Sequence, residues 1–467
     1  MMTSFNRNAS FKRSTSLSRR ALSVSSTRVC RLSWVSRLFQ VLVVIGSLIS
    51  FLIAIGCGYM YVLPSLSQAF HGYGIAKLNG SLSSCNIFDG IWVPDDSYPL
   101  YNATECPFVE QGFNCLGNGR RDKDYLRLRW KPKDCDIPRF TVKRILEMLR
   151  SKRVVFVGDS MSRTQWESLI CLLMTGVEDK KSVYEINGNK ITKRIRYLGV
   201  RFSSFNFTVE FFRSVFLMQQ GSMPRHAPKR VKSTLRLDKL DNISNYWVNS
   251  DVLIFNTGQW WVPGKLFQSG CYFQVGNSLK LGMPIPTAYR TALGTWGSWV
   301  ERNINTNRTR VFFRTFEPSH WSDQTRRFCN VTQFPSLEER GRDRSLFSDT
   351  ALEVVKNMTV PITVLHITSM SALRSDAHVG NSSDSPSTPD CSHWCLPGVP
   401  DVWNEIVLSY LLTDYGFISD EWVSRCRVDK HGFGGRSFEQ ASYQNLQPTS
   451  TNGSARKPEK LNNLDLS

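Results

Sequence analysis

A serine attacks a carbonyl carbon when a histidine takes its proton and a carboxylate orients that histidine. Ser160 is placed for the first role. It ends the run Val-Val-Phe-Val-Gly-Asp-Ser, residues 154–160, whose apolar, mostly β-branched start predicts a buried strand broken at Gly158. Met-Ser-Arg-Thr-Gln-Trp-Glu-Ser-Leu-Ile-Cys-Leu-Leu follows and predicts an amphipathic helix. A hydroxyl on such a turn is exposed at the sheet edge. It lies near free backbone N–H groups and the positive end of the helix dipole, where a developing oxyanion is stabilised. The same serine could also simply cap the helix in an ordinary strand–helix loop.

The chain has seven histidines. His71 and His431 lie towards the two ends, His226 sits in a basic loop and His366 on an apolar strand. His320, His378 and His393 remain as candidate bases. His393 is favoured, because Asp390 precedes it by three residues in Pro-Asp-Cys-Ser-His-Trp-Cys-Leu-Pro-Gly-Val-Pro, residues 389–400. One loop then presents both imidazole and carboxylate. Prolines stiffen it, and Cys391 and Cys395 could clamp it by disulfides. Cys391, His393 and Cys395 are also potential zinc ligands, but no second pair has the usual close spacing, and no metal or bound cofactor is expected. His378, in Arg-Ser-Asp-Ala-His, is the alternative base. It could instead contact substrate, or join Asp376 in a salt-linked turn.

The elements that must position these residues alternate. Helical patterns fall at 141–150, 162–175, 287–304, 346–358 and 401–412. Buried-strand patterns fall at 154–157, 252–255, 311–315 and 362–367, and residues 191–216 read as strands or a hairpin. Strands alternating with helices imply an α/β fold with a mostly parallel sheet. Polar or aromatic clusters follow each strand, and in such sheets the site lies beyond the carboxyl ends. From 85 to 140 the chain is loop-rich with four Cys, which suggests a small stapled lobe.

Charge and cysteines set the surroundings. The net charge is +19, but residues 1–37 carry eight Lys and Arg and no acid, leaving +11 for the rest. The excess is therefore partly a tail and gives no nucleic-acid signal. Residues 38–63 are almost wholly apolar, long enough to cross a bilayer core of about 30 Å. The positive-inside rule then predicts a single-pass type II protein: a disordered cytosolic tail at 1–37, a signal-anchor helix at 38–63, a luminal stem at 64–84, a catalytic domain at 141–435 and a disordered tail at 436–467. Ten of the twelve Cys follow the span, as disulfides in an oxidising compartment require. So do the glycosylation sequons at Asn79, Asn102, Asn206, Asn242, Asn307, Asn330, Asn357, Asn381 and Asn452.

Gly-Asp-Ser followed late by Asp-x-x-His resembles the SGNH/GDSL-like esterases. With Phe-Asp-Gly-Ile-Trp-Val-Pro from residue 88, Cys-Pro-Phe at 106–108, Asn-Thr-Gly-Gln-Trp-Trp at 256–261 and Asp-Cys-Ser-His-Trp-Cys-Leu-Pro-Gly at 390–398, the chain resembles the plant trichome birefringence-like family of polysaccharide O-acetyltransferases. The resemblance covers about 85–425. It implies a three-layer α/β/α SGNH-like domain beside the Cys-rich lobe, with a glycan groove between them. It also implies a Golgi enzyme that moves acetyl from a donor to a cell-wall polysaccharide through an acetyl-serine. By motif, Ser160 is the nucleophile, His393 the general base and acid, and Asp390 its orienter. The Ser160 N–H with Asn256 or Gly258 would hold the oxyanion. Arg163, Trp260, Trp261 and His378 are candidate substrate contacts. Trp260 and Trp261 could equally be core residues, and Arg163 could simply pair with a carboxylate. The implied disulfides are Cys85–Cys135, Cys106–Cys171, Cys115–Cys395 and Cys329–Cys391.

Overall fold

The computed structural model describes residues 86–322, 328–337, 345–382 and 388–414, with isolated helical positions between 39 and 50. The chain divides into two units, Met1–Leu82 and Ser83–Ser467. Among the described residues no helix is long and apolar enough to cross a membrane. The anchor expected at 38–63 lies mostly outside them, as do the stem at 64–84 and everything after 414.

The second unit opens with an antiparallel ribbon, β1 (Gly90–Pro94) with β2 (Leu128–Pro132). Helix α1 (Val142–Met148) leads into β3 (Arg153–Gly158) and α2 (Ser160–Met174). Then come β4 (Val183–Glu185), β5 (Tyr197–Phe202), β6 (Phe207–Arg213), β7 (Met218–Ser222), β8 (Ser233–Leu240) and β9 (Val252–Phe255). The chain continues through β10 (Cys271–Val275), β11 (Ser278–Lys280), α3 (Ile285–Asn303), β12 (Arg310–Arg314), α4 (Leu346–Lys356), β13 (Thr363–Leu365) and α5 (Thr368–Ala372). A hairpin of β14 (His378–Gly380) and β15 (Asp390–Trp394) precedes α6 (Val399–Asp414).

The main sheet has seven strands in the order β13-β12-β9-β3-β6-β5-β4. From β13 to β6 all neighbours are parallel, and β5 and β4 close the far edge antiparallel. The apolar run of β3 explains its central place. Val154 and Phe156 face one core with α1, α2 and α6, whereas Val155 and Val157 face the other with α3, α4 and the second sheet. A strand buried on both faces needs no polar alternation. From β3 the chain goes first through β4 and β5 to β6 on one side and then to β9 on the other. The crevice where the winding reverses therefore opens just beyond Gly158.

Three features were not predicted. Residues 218–280 supply a second sheet, ordered β11-β10-β8-β7, on the face opposite α2. The segment expected as a loop at 389–400 is a strand, a turn and the start of α6. The Cys-rich lobe shares one core with the α/β layers, since Phe113, Tyr125 and Trp130 join the cluster that holds Trp166 and Trp403. Where the lobe meets residues 331–333, a cleft of about 680 Å³ is lined by Arg120–Asp124.

Disulfides join Cys106 to Cys171, Cys115 to Cys395 and Cys329 to Cys391. Cys135 is also disulfide-bonded, whereas Cys85 of the implied fourth pair lies outside the described residues. Cys271 is a free, buried thiol.

The Cys115–Cys395 link closes a sequence separation of 280 residues, and such crosslinks stabilise largely by restricting the unfolded chain. Replacing both with Ser should lower the unfolding free energy by about 2–5 kcal/mol, read by denaturant titration of the non-reduced protein. A change within experimental scatter would contradict this account.

Candidate active site

Gly158 ends β3 where no side chain fits. A Cβ there would lie 1.9 Å from Asn256 Oδ1 and 2.7 Å from the Asn256 carbonyl oxygen. Glycine thus lets the end of β3 touch the loop after β9. Asp159 then caps α2, its Oδ1 accepting from the Met161 N–H at 3.0 Å and from Asn256 Nδ2 at 3.0 Å. Asn256 Oδ1 accepts in return from the Asp159 N–H at 3.4 Å. Asp159 therefore does the capping that Ser160 could have done, and Ser160 stands as the first residue of the helix. Its hydroxyl is left free for another partner.

That partner is His393. Ser160 Oγ lies 2.7 Å from His393 Nε2, and His393 Nδ1 lies 2.6 Å from Asp390 Oδ2. Asp390 Oδ1 also accepts the backbone N–H of Ser392 at 3.0 Å and of His393 at 2.9 Å. One carboxylate so fixes both the ring and its backbone. Burial pushes the Asp390 carboxyl up, but His393 and the two N–H donors hold it well below the usual range. Burial disfavours the charged imidazole, yet Asp390 outweighs it, and the His393 pKa is raised above the ordinary value. A base stiffened in this way and flanked by a carboxylate can take a proton from Ser160 and hold it through a tetrahedral intermediate.

The surroundings lock this arrangement. Phe113, from the Cys-rich lobe, packs on the His393 ring at a centroid distance of 5.4 Å. His378 Nδ1 donates to the His393 carbonyl at 3.0 Å, and the His378 ring stacks on Trp394 at 3.9 Å. Behind it, His320 Nδ1 lies 2.6 Å from His378 Nε2, and His320 Nε2 donates to the Ala372 carbonyl at 2.8 Å. His320, one of the three candidate bases, thus supports the hairpin behind His378 and does not face Ser160, whereas Phe113 was not assigned a place at the site from sequence. Phe113 stands two residues before the bridged Cys115, a signal that could have linked it to the hairpin.

The other expected contacts fall differently. Arg163 is buried between Glu110 and Glu167, with its guanidinium over the Phe113 ring at 4.9 Å. It braces the lobe against α2. Burial raises the Glu167 carboxyl to about 8, against the opposing charge of Arg163. His378 is 2% exposed and both its ring nitrogens face protein groups. Asp376 pairs with Arg374 at 2.8 Å, so the proposed turn with His378 does not form. Trp261 belongs to the core, donating to Thr257 Oγ1 at 2.9 Å and meeting Tyr289 edge-on. Trp260 is half-buried at the site's flank. Gly258 is buried, and a Cβ there would meet Phe316 at 2.8 Å. Cys391 and Cys395 are engaged in separate disulfides, which removes the zinc set. The sequon residues Asn102, Asn206, Asn242, Asn307, Asn330, Asn357 and Asn381 are all exposed, whereas Asn79 and Asn452 lie outside the described residues.

A serine on the turn after the central strand of a parallel sheet, met by an Asp-x-x-His pair from a late hairpin, defines an SGNH-type acyl-esterase or acyltransferase site. Residues 137–410 match the sequence model of the GDSL/SGNH-like acyl-esterase family found in Pmr5 and Cas1p, and residues 83–136 match the PMR5 N-terminal domain. The chain is 67% identical over 385 residues to trichome birefringence-like 7 of Arabidopsis thaliana, covering 82% of this chain and 86% of that protein. It is 39% identical over 345 residues to trichome birefringence-like 6 of the same plant, covering 72% of each chain. It is 40% identical over 358 residues to trichome birefringence-like 4, covering 73% of this chain and 78% of that one. The chain belongs to this acyl-esterase family and to its trichome birefringence-like branch.

His393 must be neutral to accept a proton, and its pKa is raised. Cleavage of a small acetyl ester should therefore fall as pH drops through an inflection above the ordinary histidine value. Asp390→Asn should move that inflection down and slow the plateau by roughly three to four orders of magnitude. An unshifted inflection would mean that another group titrates. Gly158→Ala should destabilise the protein by about 1–3 kcal/mol, seen in its thermal midpoint, because β3 must then part from Asn256.

Proposed function

We propose that the protein transfers acetyl groups from a donor to hydroxyls of a plant cell-wall polysaccharide such as xylan, mannan or pectin, in the Golgi lumen, as a single-pass type II membrane protein. The observation that carries the reading is the unbroken chain from Ser160 Oγ through the His393 ring to Asp390. His393 Nε2 takes the Ser160 proton as Oγ bonds to the acetyl carbonyl carbon. The tetrahedral oxyanion is met by the Ser160 N–H, with Asn256 or Gly258 as the second donor, and each such donor contributes about 2.7–4 kcal/mol. Collapse expels the donor's leaving group, which takes the proton from His393. A sugar hydroxyl then gives its proton to His393 while its oxygen attacks the acetyl-serine, and the acetyl ester of the sugar leaves with Ser160 restored.

The family also hydrolyses esters by name, and water in place of the sugar would make this an acetylesterase. The test incubates the full-length protein with p-nitrophenyl acetate and neutral or acidic cell-wall oligosaccharides, and follows acetylated sugar by mass spectrometry. Acetylated sugar with the native protein and none with Ser160→Ala is the expected result. Free acetate as the sole product would overturn the transferase reading, and full sugar acetylation by Ser160→Ala would overturn the covalent mechanism.

A further inference from the structure

Arg213 is the last residue of β6 and stands in register beside Gly158, with the next residue, Ser214, donating its N–H to the Gly158 carbonyl at 2.8 Å. The guanidinium is thus carried to the strand end adjoining the Ser160 turn. It is half-buried, and among the described residues it has no ion pair or hydrogen-bond partner. A charge taken partly out of water without a counter-ion is costly, and such groups concentrate where a ligand supplies the missing charge. The charges around it sharpen this. Burial lowers its pKa, as do Arg163 and Arg196, and Asp159 alone opposes them. Arg163 is already neutralised by Glu110 and Glu167, Arg196 pairs with Asp241 at 2.5 Å, and the Asp159 oxygens form no ion pair with Arg213.

What Arg213 does touch is Trp260. Its guanidinium lies 5.3 Å from that ring's centroid, and the exposed Lys265 ammonium lies 4.7 Å from it. An aromatic ring steadies a cation without consuming its N–H donors, so both cations stay able to bind an anion. Trp260 is itself wedged by Phe216, edge-on at 6.2 Å. A second basic feature continues outward. Residues 223–232 carry exposed Arg225, Lys229, Arg230 and Lys232 with no Asp or Glu. They run beside the loop that holds Lys265, since the Lys232 N–H donates to the Gly270 carbonyl at 2.8 Å. A point of unpaired charge beside the strand end that leads to the Ser160 turn, extended by a cationic strip, suits a chain with repeated negative groups better than a single small anion.

Resting on the acetyl-transfer reading above, we propose that Arg213 and Lys265, steadied on Trp260, bind a carboxylate of the acceptor, and that the acceptor is a uronate-bearing polysaccharide. The planar guanidinium can hold the carboxylate through two parallel N–H bonds. This places one sugar ring so that a hydroxyl of the same or the next residue meets the acetyl-serine.

The experiment uses the full-length protein with p-nitrophenyl acetate as donor and two acceptors, an oligogalacturonide and its methyl ester, in which each carboxylate charge is removed by a small methyl group. The native protein should favour the acid in kcat/KM by about tenfold or more, the range of one charge-assisted hydrogen bond. Arg213→Gln and Lys265→Gln should each shrink the acid-to-ester ratio, through KM for the acid, and Arg213→Lys should recover part of it. A native ratio near one, or a ratio that Arg213→Gln leaves intact, would overturn the proposal. So would an Arg213→Gln defect confined to KM for acetyl phosphate as donor, which would assign the cations to the donor. Release of p-nitrophenolate with acetylation of Ser160 monitors the acetyl-transfer reading separately. Without it that reading fails, whereas an acylated enzyme indifferent to acceptor charge defeats this inference alone.

Discussion

The site depends on one constraint: a base 233 residues from its nucleophile must stay within hydrogen-bond reach of it. Nothing local to Ser160 can achieve that. The hairpin of β14 and β15 is short and adds no strand to the main sheet, and two strands alone are marginal in water. It is held instead from several sides. The Cys115 and Cys329 disulfides grip β15 and the residue after it. The stacked His378 and Trp394 rings fill its inner face, and Arg120 of the lobe reaches the His378 carbonyl at 3.0 Å. The Cys-rich lobe is therefore part of the machinery that aims the imidazole.

Much of this was legible in the sequence, for reasons that particular residues make plain. The run 252–255 is apolar at every position, so its burial on both faces could be read without tertiary knowledge, and β9 spans those same residues. Gly-Asp-Ser after β3 and Asp-x-x-His near the end named the three groups that the fold assembles. The second sheet escaped because β7, Met-Gln-Gln-Gly-Ser, carries little apolar signal, and the short Leu-Arg-Leu-Asp alternation of β8 stands alone in a basic, turn-rich stretch. Their stability comes from packing against α3, which only the folded chain reveals. β15 was hidden by its Cys, Ser and Pro neighbours, whose turn chemistry dominates a local reading.

Side-chain roles were harder still. Arg163 and Trp261 stood open between substrate contact and a structural place, because they are large, functional in type and close in sequence to the motifs. Burial decided for structure, by placing two carboxylates around the first and a second aromatic layer around the second. Arg213 showed the converse. Within the alternating 191–216 stretch it read as one more strand residue, and its significance lies in what does not surround it.

The long-range disulfide also has a consequence in time. A ribosome delivers Cys115 long before Cys395, and the partner arrives only after 280 further residues have been made. The residues of the lobe, of the nucleophile turn and of every main-sheet strand precede the base in the chain. Until the closing hairpin is threaded between the lobe and α2, Ser160 faces no proton acceptor. The base therefore comes within reach of Ser160 only when one of the last-made segments of the fold docks.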